Sequence, residues 1–209
     1  MKGMINKVVA IIDYKAGNAP SVLHAVSHLG HEAILAQSAK EISGATHIML
    51  PGVGSARATM DSLEQLGLLG TLEDAVLKKK TPFLGICVGL QVLFEHSEEG
   101  NAGCLGWLKG SVFRYDSSSV RVPQMGWNKV TFTKATAARA QDDYFYFVNS
   151  YFVKPGCEAD IWGTADYGSV FTAAVNRDNI YGMQFHVEKS GEAGLSLLSS
   201  FLGVKGGKN

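Results

Sequence analysis

The sequence predicts an α/β protein with a mostly parallel central sheet, helices on both faces of that sheet, and a mixed or antiparallel extension in the C-terminal half. Up to residue 91, apolar strand-like segments alternate with helix-like segments. From Gly110 onward, short strand-like segments follow one another with little helix between them. The first pattern is typical of parallel strands joined by helices, and the second of strands joined by short connections.

The elements of the N-terminal half follow from local signals. Pro20 lies near the first turn of a helix predicted to run through Leu29, and Gly30 provides its stop. Ser55 is placed to cap a second helical stretch, which continues to Lys80 with a break near residues 67–70. The strands predicted in this half cover residues 7–12, 32–36, 47–50 and 83–86.

The C-terminal half contains more strand candidates and one closing helix, predicted over residues 190–202. A last buried strand is predicted to begin at Ile180 and to run into polar residues as far as Glu188. The chain shows no internal repeat and no low-complexity linker, so we expect residues 1–209 to form a single domain. The other strands predicted in this half cover residues 112–115, 129–132, 144–148, 159–164 and 172–175.

The segment Gly85-Ile86-Cys87-Val88-Gly89 ends an apolar run and precedes a helix-like stretch. It has a Gly-x-nucleophile-x-Gly form, in which glycines relieve the crowding of a strand that turns sharply into a helix. Such a turn places the Cys87 sulfur at a helix N-terminus, where free N–H groups and the helix dipole favour an anion. We therefore predict that Cys87 is a nucleophile; the alternative is a buried cysteine in a core strand.

A reactive cysteine needs a base, and among the six histidines His186 is the best candidate. Side chains two apart on a strand point to the same side, so His186 and Glu188 are predicted to face one cavity, with the carboxylate orienting the imidazole. Nucleophile, base and orienting acid together follow the logic of a catalytic triad. The alternative is a histidine at a strand end beside a solvated glutamate. His24 and His28 have metal-ligand spacing on a helix, but no third ligand is evident.

The loop Pro51-Gly52-Val53-Gly54 follows a predicted strand, at the end where open α/β sheets place their ligands. It lacks the third glycine of the dinucleotide-binding fingerprint. We expect the backbone N–H groups of Gly52 and Val53, together with that of Val88, to form an oxyanion hole beside Cys87. The predicted chemistry is acyl transfer through a thioester.

Composition excludes several function classes. Lys and Arg together number 19, as do Asp and Glu, so the formal net charge is zero. With no basic field and no polybasic segment, neither nucleic acid nor a membrane is expected as a partner. No apolar run is long enough for a transmembrane helix. The three cysteines, Cys87, Cys104 and Cys157, make a poor disulfide framework and fit a cytoplasmic location.

Together these motifs resemble those of the class I glutamine amidotransferases, a family with a Cys-His-Glu triad and a flavodoxin-like fold. The nucleophile motif is Gly-Ile-Cys-Val-Gly-Leu-Gln, and the base motif is Gln-Phe-His-x-Glu-Lys-Ser. Within the family the chain looks most like the glutaminase subunits of imidazole glycerol phosphate synthases, from about residue 8 to residue 202. That closer resemblance rests on Asp13-Tyr14, Gly17-Asn18, Pro51-Gly52-Val53-Gly54, Pro123, Met125-Gly126-Trp127-Asn128, Tyr146-Phe147-Val148 and Ser150-Tyr151.

The resemblance implies that Cys87 attacks the side-chain amide of glutamine, that His186 carries the proton to the departing ammonia, and that Glu188 holds His186 in place. It implies no metal or organic cofactor. The residues it implies as glutamine contacts are Gln91, Glu95, which we place one turn further along the same helix face, Ser150 and Tyr151. The alternatives are ordinary helix surface for Gln91 and Glu95, and core packing for Tyr151.

The resemblance further implies a (β/α)8-barrel cyclase as partner, with Asn18 and Lys189 near the interface. The cyclase would use the ammonia to make imidazole glycerol phosphate in histidine biosynthesis. Three positions depart from the family pattern. Val187 stands where Pro is usual, and Gln124 and Asn149 stand where His is usual.

These departures leave open a paralogue that supplies ammonia to a related synthase for sugar amidination in surface polysaccharide. Two rivals of other classes are a non-catalytic α/β binding module and a cysteine peptidase-like hydrolase. The first is disfavoured because all three triad residue types are present. The second predicts peptide hydrolysis that does not depend on a partner.

Overall fold

The computed structural model describes residues 8–15 and 18–206, and within them the strands form one mixed sheet. The strands are β1 Val8–Ile12, β2 Glu32–Ala36, β3 His47–Gly52, β4 Phe83–Cys87, β5 His96–Ser97, β6 Ala102–Gly103, β7 Gly110–Arg114, β8 Gln124–Phe132, β9 Asp143–Asn149, β10 Tyr151–Pro155, β11 Ile161–Asp166, β12 Val170–Arg177 and β13 Ile180–Met183. The helices are α1 Ala19–His28, α2 Ala39–Ser43, α3 Ala56–Gln65, α4 Leu69–Glu73, α5 Val88–Gln91 and α6 Gly191–Leu202. A π-helical turn, Asp74–Lys78, continues α4, and two 3-10 turns cover Glu158–Asp160 and Val187–Lys189.

The parallel part of the sheet has the strand order β2-β1-β3-β4-β13. This is the flavodoxin-like order, in which ligands bind at the carboxyl ends of the strands. Beyond β13 the strands β12, β10 and β7 pair antiparallel, and β11, β8 and β9 branch from β12 as a second antiparallel arm. The predicted fold, a mostly parallel sheet with a mixed extension, is therefore confirmed.

The central strands are buried along almost their whole length, because both of their faces are covered. All residues of β3 and β4 are buried, and β1 is buried from Val9 to Ile12. Such continuous apolar runs are typical of parallel strands between two helical layers. Two helices begin at the caps that their sequences provide: Ser38 and Glu41 form a capping box at α2, and Ser55 accepts a hydrogen bond from the N–H of Ala58 at α3.

Two glycines allow α5 to lie directly on the sheet beside the turn at Cys87. A Cβ at Gly89 would overlap the carbonyl oxygen of Leu50 in β3, and one at Gly85 would overlap the backbone of Gly89. The glycines of the Gly-x-Cys-x-Gly pattern therefore relieve crowding as predicted, because neighbouring backbone occupies the space that their side chains would need.

The structure differs from the predicted elements in several places. The helix after Cys87 is a single turn that ends at Gln91, and the last strand ends at Met183, before the polar residues. Elements without a predicted counterpart are α2, β5, β6 and β10, together with the first residues of β8. These are short or start at polar residues, where periodicity carries little information. No helix in residues 8–15 and 18–206 is both long and apolar enough to cross a membrane.

Candidate active site

Cys87 lies at the carboxyl end of β4, and α5 starts at the next residue. Its backbone has φ 55° and ψ −110°, a strained conformation for a residue with a side chain. Strain of this kind persists only where the surrounding structure enforces it, here through the close contact of α5 with β3 and β4. The Cys87 side chain reaches the wall of a cavity even though only 5% of the residue is exposed.

His186 and Glu188 lie beside Cys87, although they are not on a strand as we predicted. Glu188 belongs to the 3-10 turn Val187–Lys189, and His186 immediately precedes it. Nδ1 of His186 lies 2.8 Å from Oε1 of Glu188, and the Glu188 side chain is fully buried. The turn, rather than strand alternation, therefore brings the carboxylate to the imidazole.

The charge state of His186 is set by its two neighbours. Burial lowers the pKa of His186, but hydrogen bonds and charge interactions with Cys87 and Glu188 outweigh burial and raise that pKa to about 9. Burial raises the pKa of Glu188. The hydrogen bond and charge of His186 act in the opposite direction and outweigh burial, so the net shift of this pKa is downward. The imidazolium form of His186 is thus favoured at neutral pH, next to a carboxylate on one side and a sulfur on the other.

The sulfur of Cys87 has polar neighbours besides His186. Nε2 of Gln184 lies 3.6 Å from Sγ as a donor, and the carbonyl oxygen of Val148 lies 3.9 Å away as an acceptor. A neutral thiol accepts and donates only weak hydrogen bonds. The Val148 carbonyl, an acceptor, favours the protonated thiol. The amide donor favours the thiolate, which is the nucleophilic form.

The predicted backbone donors for an oxyanion belong to segments next to Cys87. The N–H of Val88 is the first of α5, so the helix itself does not use it. Gly52 pairs with Cys87 across β3 and β4. The Val53 backbone lies near the buried hydroxyl of Tyr14 and opposes the rise in the Tyr14 pKa that burial causes. The roles of Val88, Gly52 and Val53 in an oxyanion hole therefore stay predictions.

A cavity of about 320 Å³ opens in front of Cys87. Its size is at the lower end of the range for small-molecule sites. Among the predicted site residues it is lined by Val53, Cys87, Val88, Gln91, Ser150, Tyr151, His186 and Lys189. The other lining residues are Gly54, Glu99, Pro123, Val148 and Asn149.

Comparison with known proteins supplies the family. The family model described as glutamine amidotransferase class-I matches residues 10–203. The chain belongs to the class I glutamine amidotransferase family. The amidotransferase is 41% identical over 201 residues to "Imidazole glycerol phosphate synthase subunit HisH" of Leptospira interrogans, with 93% of this chain and 98% of that one covered. It is 42% identical over 207 residues to the protein of the same name from Aromatoleum aromaticum, with 93% and 97% covered.

Solved structures agree in fold. A crystal structure described as a glutamine amidotransferase superposes with a TM-score of 0.75 at 17% identity, covering 93% of this chain and 98% of the other. The structure of PurLQS from Thermotoga maritima gives a TM-score of 0.74 at 18% identity, covering 94% and 98%. At such low identity these likenesses establish the amidotransferase fold alone.

Glu95, one of the predicted substrate contacts, lies away from the cavity in the amidotransferase structure. Because α5 ends at Gln91, Glu95 is not on its face; Glu95 is exposed, and its carboxylate accepts a 2.9 Å hydrogen bond from the N–H of Gly110. Glu99 lines the cavity instead, and it accepts a 3.0 Å hydrogen bond from the N–H of Ala56 at the start of α3. Burial raises the pKa of Glu99, while that hydrogen bond opposes the rise. Our prediction that Glu95 follows Gln91 along one helix face was therefore wrong.

Two of the three departures from the family pattern, Gln124 and Asn149, meet in the amidotransferase structure. Gln124 and Asn149 pair across β8 and β9, and both contact the hydroxyl of Tyr115, at 3.3 Å and 3.5 Å. Asn149 also donates a 2.9 Å hydrogen bond to the carbonyl oxygen of Tyr151. The cluster is buried, and through Asn149 it forms part of the cavity wall.

The two predicted interface residues lie at the triad. Asn18 is half-buried and donates a 2.8 Å hydrogen bond from Nδ2 to Oε1 of Glu188. Lys189 is exposed and lines the cavity mouth. Their part in an interface stays a prediction.

Sequence reasoning did not find Gln184 or Glu99. Gln184 carried a signal, since it precedes His186 by two residues and a residue at that spacing can face the same side. Glu99 carried none, because it lies in a loop whose path no periodicity describes.

Proposed function

We propose that the protein hydrolyses L-glutamine to glutamate and ammonia through a thioester on Cys87. The observation that carries the proposal is the position of Cys87 and His186 at one cavity, with the imidazole held between the sulfur and the carboxylate of Glu188, which is buried behind His186 and does not itself line that cavity. A thiolate beside an imidazolium is the activated form of a cysteine nucleophile.

The reaction starts when the Cys87 sulfur attacks the side-chain amide carbon of glutamine. Negative charge develops on the amide oxygen, and we assign the N–H of Val88, at the start of α5, as its donor. One donor in an oxyanion hole contributes about 3–4 kcal/mol to the transition state. His186, already protonated, gives its proton to the departing ammonia and then activates the water that releases glutamate.

Glutamine binding is assigned to Gln91, Ser150 and Tyr151, with Glu99 in the place that we had given to Glu95. Oε1 of Gln91 is buried without a hydrogen-bond partner in the part of the chain that the structure describes, and Gln91 lines the cavity. A buried acceptor without a partner is costly, so the cavity favours a ligand that brings N–H donors. The carboxylate of Glu99 adds a negative charge suited to an α-ammonium group.

We further propose that the ammonia passes to a (β/α)8-barrel cyclase, which makes imidazole glycerol phosphate and aminoimidazole carboxamide ribotide (AICAR) in histidine biosynthesis. Support comes from the HisH relatives, which are named as subunits of the synthase and match this chain over 93% of its length. We place the complex in the cytoplasm, in keeping with three cysteines that form no disulfide. We treat residues 1–209 as one glutaminase domain, supported by the single sheet and core of the described residues.

An exposed apolar face next to the cavity supports docking of a partner. Met125 and Trp127 of β8 are 66% and 57% exposed, and Tyr144 of β9 is 57% exposed. Trp127 packs edge-on against Tyr146, with ring centroids 6.0 Å apart, and Met125 pairs with Val148, which lines the cavity. We call these five residues the β8–β9 face. Large exposed apolar residues grouped on one strand pair are typical of protein interfaces.

A second candidate function is ammonia supply to a related synthase for sugar amidination in surface polysaccharide. The observation that favours it is the cluster of Gln124, Asn149 and Tyr115, where two amides replace the two histidines usual in the histidine-pathway subunits. Growth of a histidine auxotroph that lacks its own glutaminase subunit separates the two. Rescue supports the histidine pathway, and absence of rescue by a well-expressed chain supports the alternative.

The glutaminase proposal is tested by measuring glutamate release with and without the barrel cyclase and its ligand. We expect low activity alone and a large rise in the complex. Cys87→Ala is expected to abolish turnover while the melting temperature stays that of a folded protein. Retained turnover in Cys87→Ala, or equal rates with and without the partner, would contradict the proposal.

A further inference from the structure

Gln184 is a buried amide that touches the sulfur and has no role in the triad. Its side chain is inaccessible to solvent, and Nε2 points at Sγ of Cys87 from 3.6 Å. It precedes His186 by two residues, so one short segment brings both groups to the sulfur. Among the described residues, that sulfur is the one hydrogen-bond acceptor found for Nε2 of Gln184.

The orientation of the Gln184 amide is fixed by its other end. Oε1 of Gln184 accepts a 3.0 Å hydrogen bond from Nε2 of Gln91, and the Gln184 backbone N–H donates to Ala173 at 2.8 Å. Gln91 in turn donates to the carbonyl oxygen of Tyr151 at 3.3 Å. Because Nε2 of Gln91 can only donate, Oε1 of Gln184 must face it, which turns the NH₂ group of Gln184 toward the sulfur.

A neutral thiol is a poor acceptor, whereas a thiolate accepts hydrogen bonds well. A buried NH₂ group aimed at sulfur is therefore poorly satisfied by the thiol and well satisfied by the thiolate. In the apolar core a Leu or Met of similar size would pack without any unpaired donor. The amide of Gln184 therefore favours negative charge on the Cys87 sulfur.

We propose that Gln184 is a positioning residue that donates a hydrogen bond to the Cys87 thiolate and ties the sulfur to Gln91 at the glutamine end of the cavity. This inference rests on the proposed function, because it gives Gln184 a purpose only if Cys87 is the nucleophile. Gln91 lines the cavity, and its buried Oε1 has no hydrogen-bond partner among the described residues. An N–H donor of bound glutamine that reaches this oxygen would hold the Gln91 side chain in place. Gln91 in turn holds the Gln184 amide, and that amide holds the Cys87 sulfur.

The test measures alkylation of Cys87 by iodoacetamide in the full-length chain, followed by site-resolved mass spectrometry because Cys157 is exposed. For Gln184→Met we expect the rate near pH 7 to fall about tenfold, the loss for one hydrogen bond to a charged atom. Near pH 10 we expect the rates of the wild type and Gln184→Met to converge to within about twofold. A purely structural role for Gln184 would not produce this pH-dependent difference.

Two further variants keep the test decisive. Gln184→Glu preserves the shape but replaces the donor with a carboxylate, so it is expected to slow alkylation near pH 7 by more than about tenfold. Asn179→Ala is the matched control: Asn179 is also a buried amide and donates to Val76 and Thr81, at the opposite end of β13. It is expected to lower the melting temperature and leave the alkylation profile unchanged.

The outcomes separate this inference from the proposed function. Rates for Gln184→Met and Gln184→Glu that stay within about twofold of the wild type near pH 7 would overturn the role of Gln184. An altered profile in Asn179→Ala of the same size would do so too. Glutamine turnover in Cys87→Ala would overturn the proposed function instead, whatever the alkylation rates are.

Discussion

The side-chain amide of Asn18 donates a 2.8 Å hydrogen bond to Glu188, a residue 170 positions later in the chain. The same carboxylate oxygen, Oε1, receives Nδ1 of His186 at 2.8 Å. Asn18 itself is held at the start of α1, where its Oδ1 accepts a 2.6 Å hydrogen bond from Ser21. The orientation of the His186 imidazole is therefore coupled through Glu188 to the N-terminus of the first helix, at a residue that we place near the partner interface.

Replacement of Asn18 by Ala should weaken the hold on Glu188. We expect kcat for glutamine hydrolysis in the partner complex to fall about tenfold, because one hydrogen bond to a charged group contributes about 1.5 kcal/mol. KM should change little, since Asn18 does not line the cavity. Gln37→Ala serves as control, because it removes a comparable amide whose 2.8 Å hydrogen bond to Asp13 lies on the exposed surface. An unchanged kcat in Asn18→Ala would refute the positioning role.

The pH dependence of glutamine hydrolysis should report His186. Its pKa in the folded protein is raised to about 9, above the usual 6.5, so the imidazolium is present at neutral pH and is lost as the pH rises through about 9. Because the departing ammonia needs that proton, kcat/KM should fall above about pH 9. The measurement is a pH–rate profile in the partner complex. In Glu188→Gln the fall should begin at lower pH, and a wild-type fall centred near pH 6.5 would contradict the assignment.

The same shifts predict how stability depends on pH. A raised pKa of His186 means that its stabilising contribution is complete below about pH 6.5 and is lost as the pH rises through about 9. A lowered pKa of Glu188 means that its contribution is present above its usual value of 4.5 and is lost on further acidification. The stability difference between wild type and Glu188→Gln, from denaturant titrations, should therefore be largest between about pH 4.5 and 6.5. A stability difference that grows toward alkaline pH would contradict the upward shift of the His186 pKa.

Gly89 should tolerate no side chain. In Gly89→Ala the Cβ would overlap the carbonyl oxygen of Leu50, so α5 must move off the sheet and carry Cys87 with it. We expect a loss of at least about 3 kcal/mol of stability, together with loss of activity. Gly70 in α4 is the matched control, because a Cβ there meets nothing within 4 Å. Gly70→Ala should stabilise the protein by up to about 1 kcal/mol, as Ala favours helix over Gly.

The β8–β9 face should matter for partner binding and not for the chemistry of the isolated chain. Trp127→Ala is expected to weaken the complex by about 2 kcal/mol, or roughly 30-fold in Kd, because exposed tryptophans that become buried dominate interface energies. Basal glutaminase activity should be unchanged. Leu66→Ala, at the exposed C-terminal end of α3, is the control. Calorimetry with the purified cyclase measures both affinities, and an unchanged Kd for Trp127→Ala would exclude this face as the docking site.

The departures between prediction and structure have a common cause. Strand alternation predicted that His186 and Glu188 share a side, but the strand ends at Met183, and the pair meets through a 3-10 turn instead. Helix periodicity placed Glu95 beyond Gln91, but α5 is too short to reach it. Both errors arose because we extended a helix or strand periodicity beyond the residue at which that element ends. Periodicity describes the interior of an element, whereas functional residues lie at its end.

The sequence by itself determined the parallel sheet, the sharp turn at Cys87 and the pairing of His186 with Glu188, because buried strands, crowding-relieving glycines and a His-x-Glu pair are local patterns. Only the tertiary structure decided that Asn18 braces Glu188, that Gln184 faces the sulfur, and that Glu99 replaces Glu95 at the cavity. These contacts join segments far apart in the chain. Their geometry depends on how the ends of several elements pack together, and no local pattern encodes that packing.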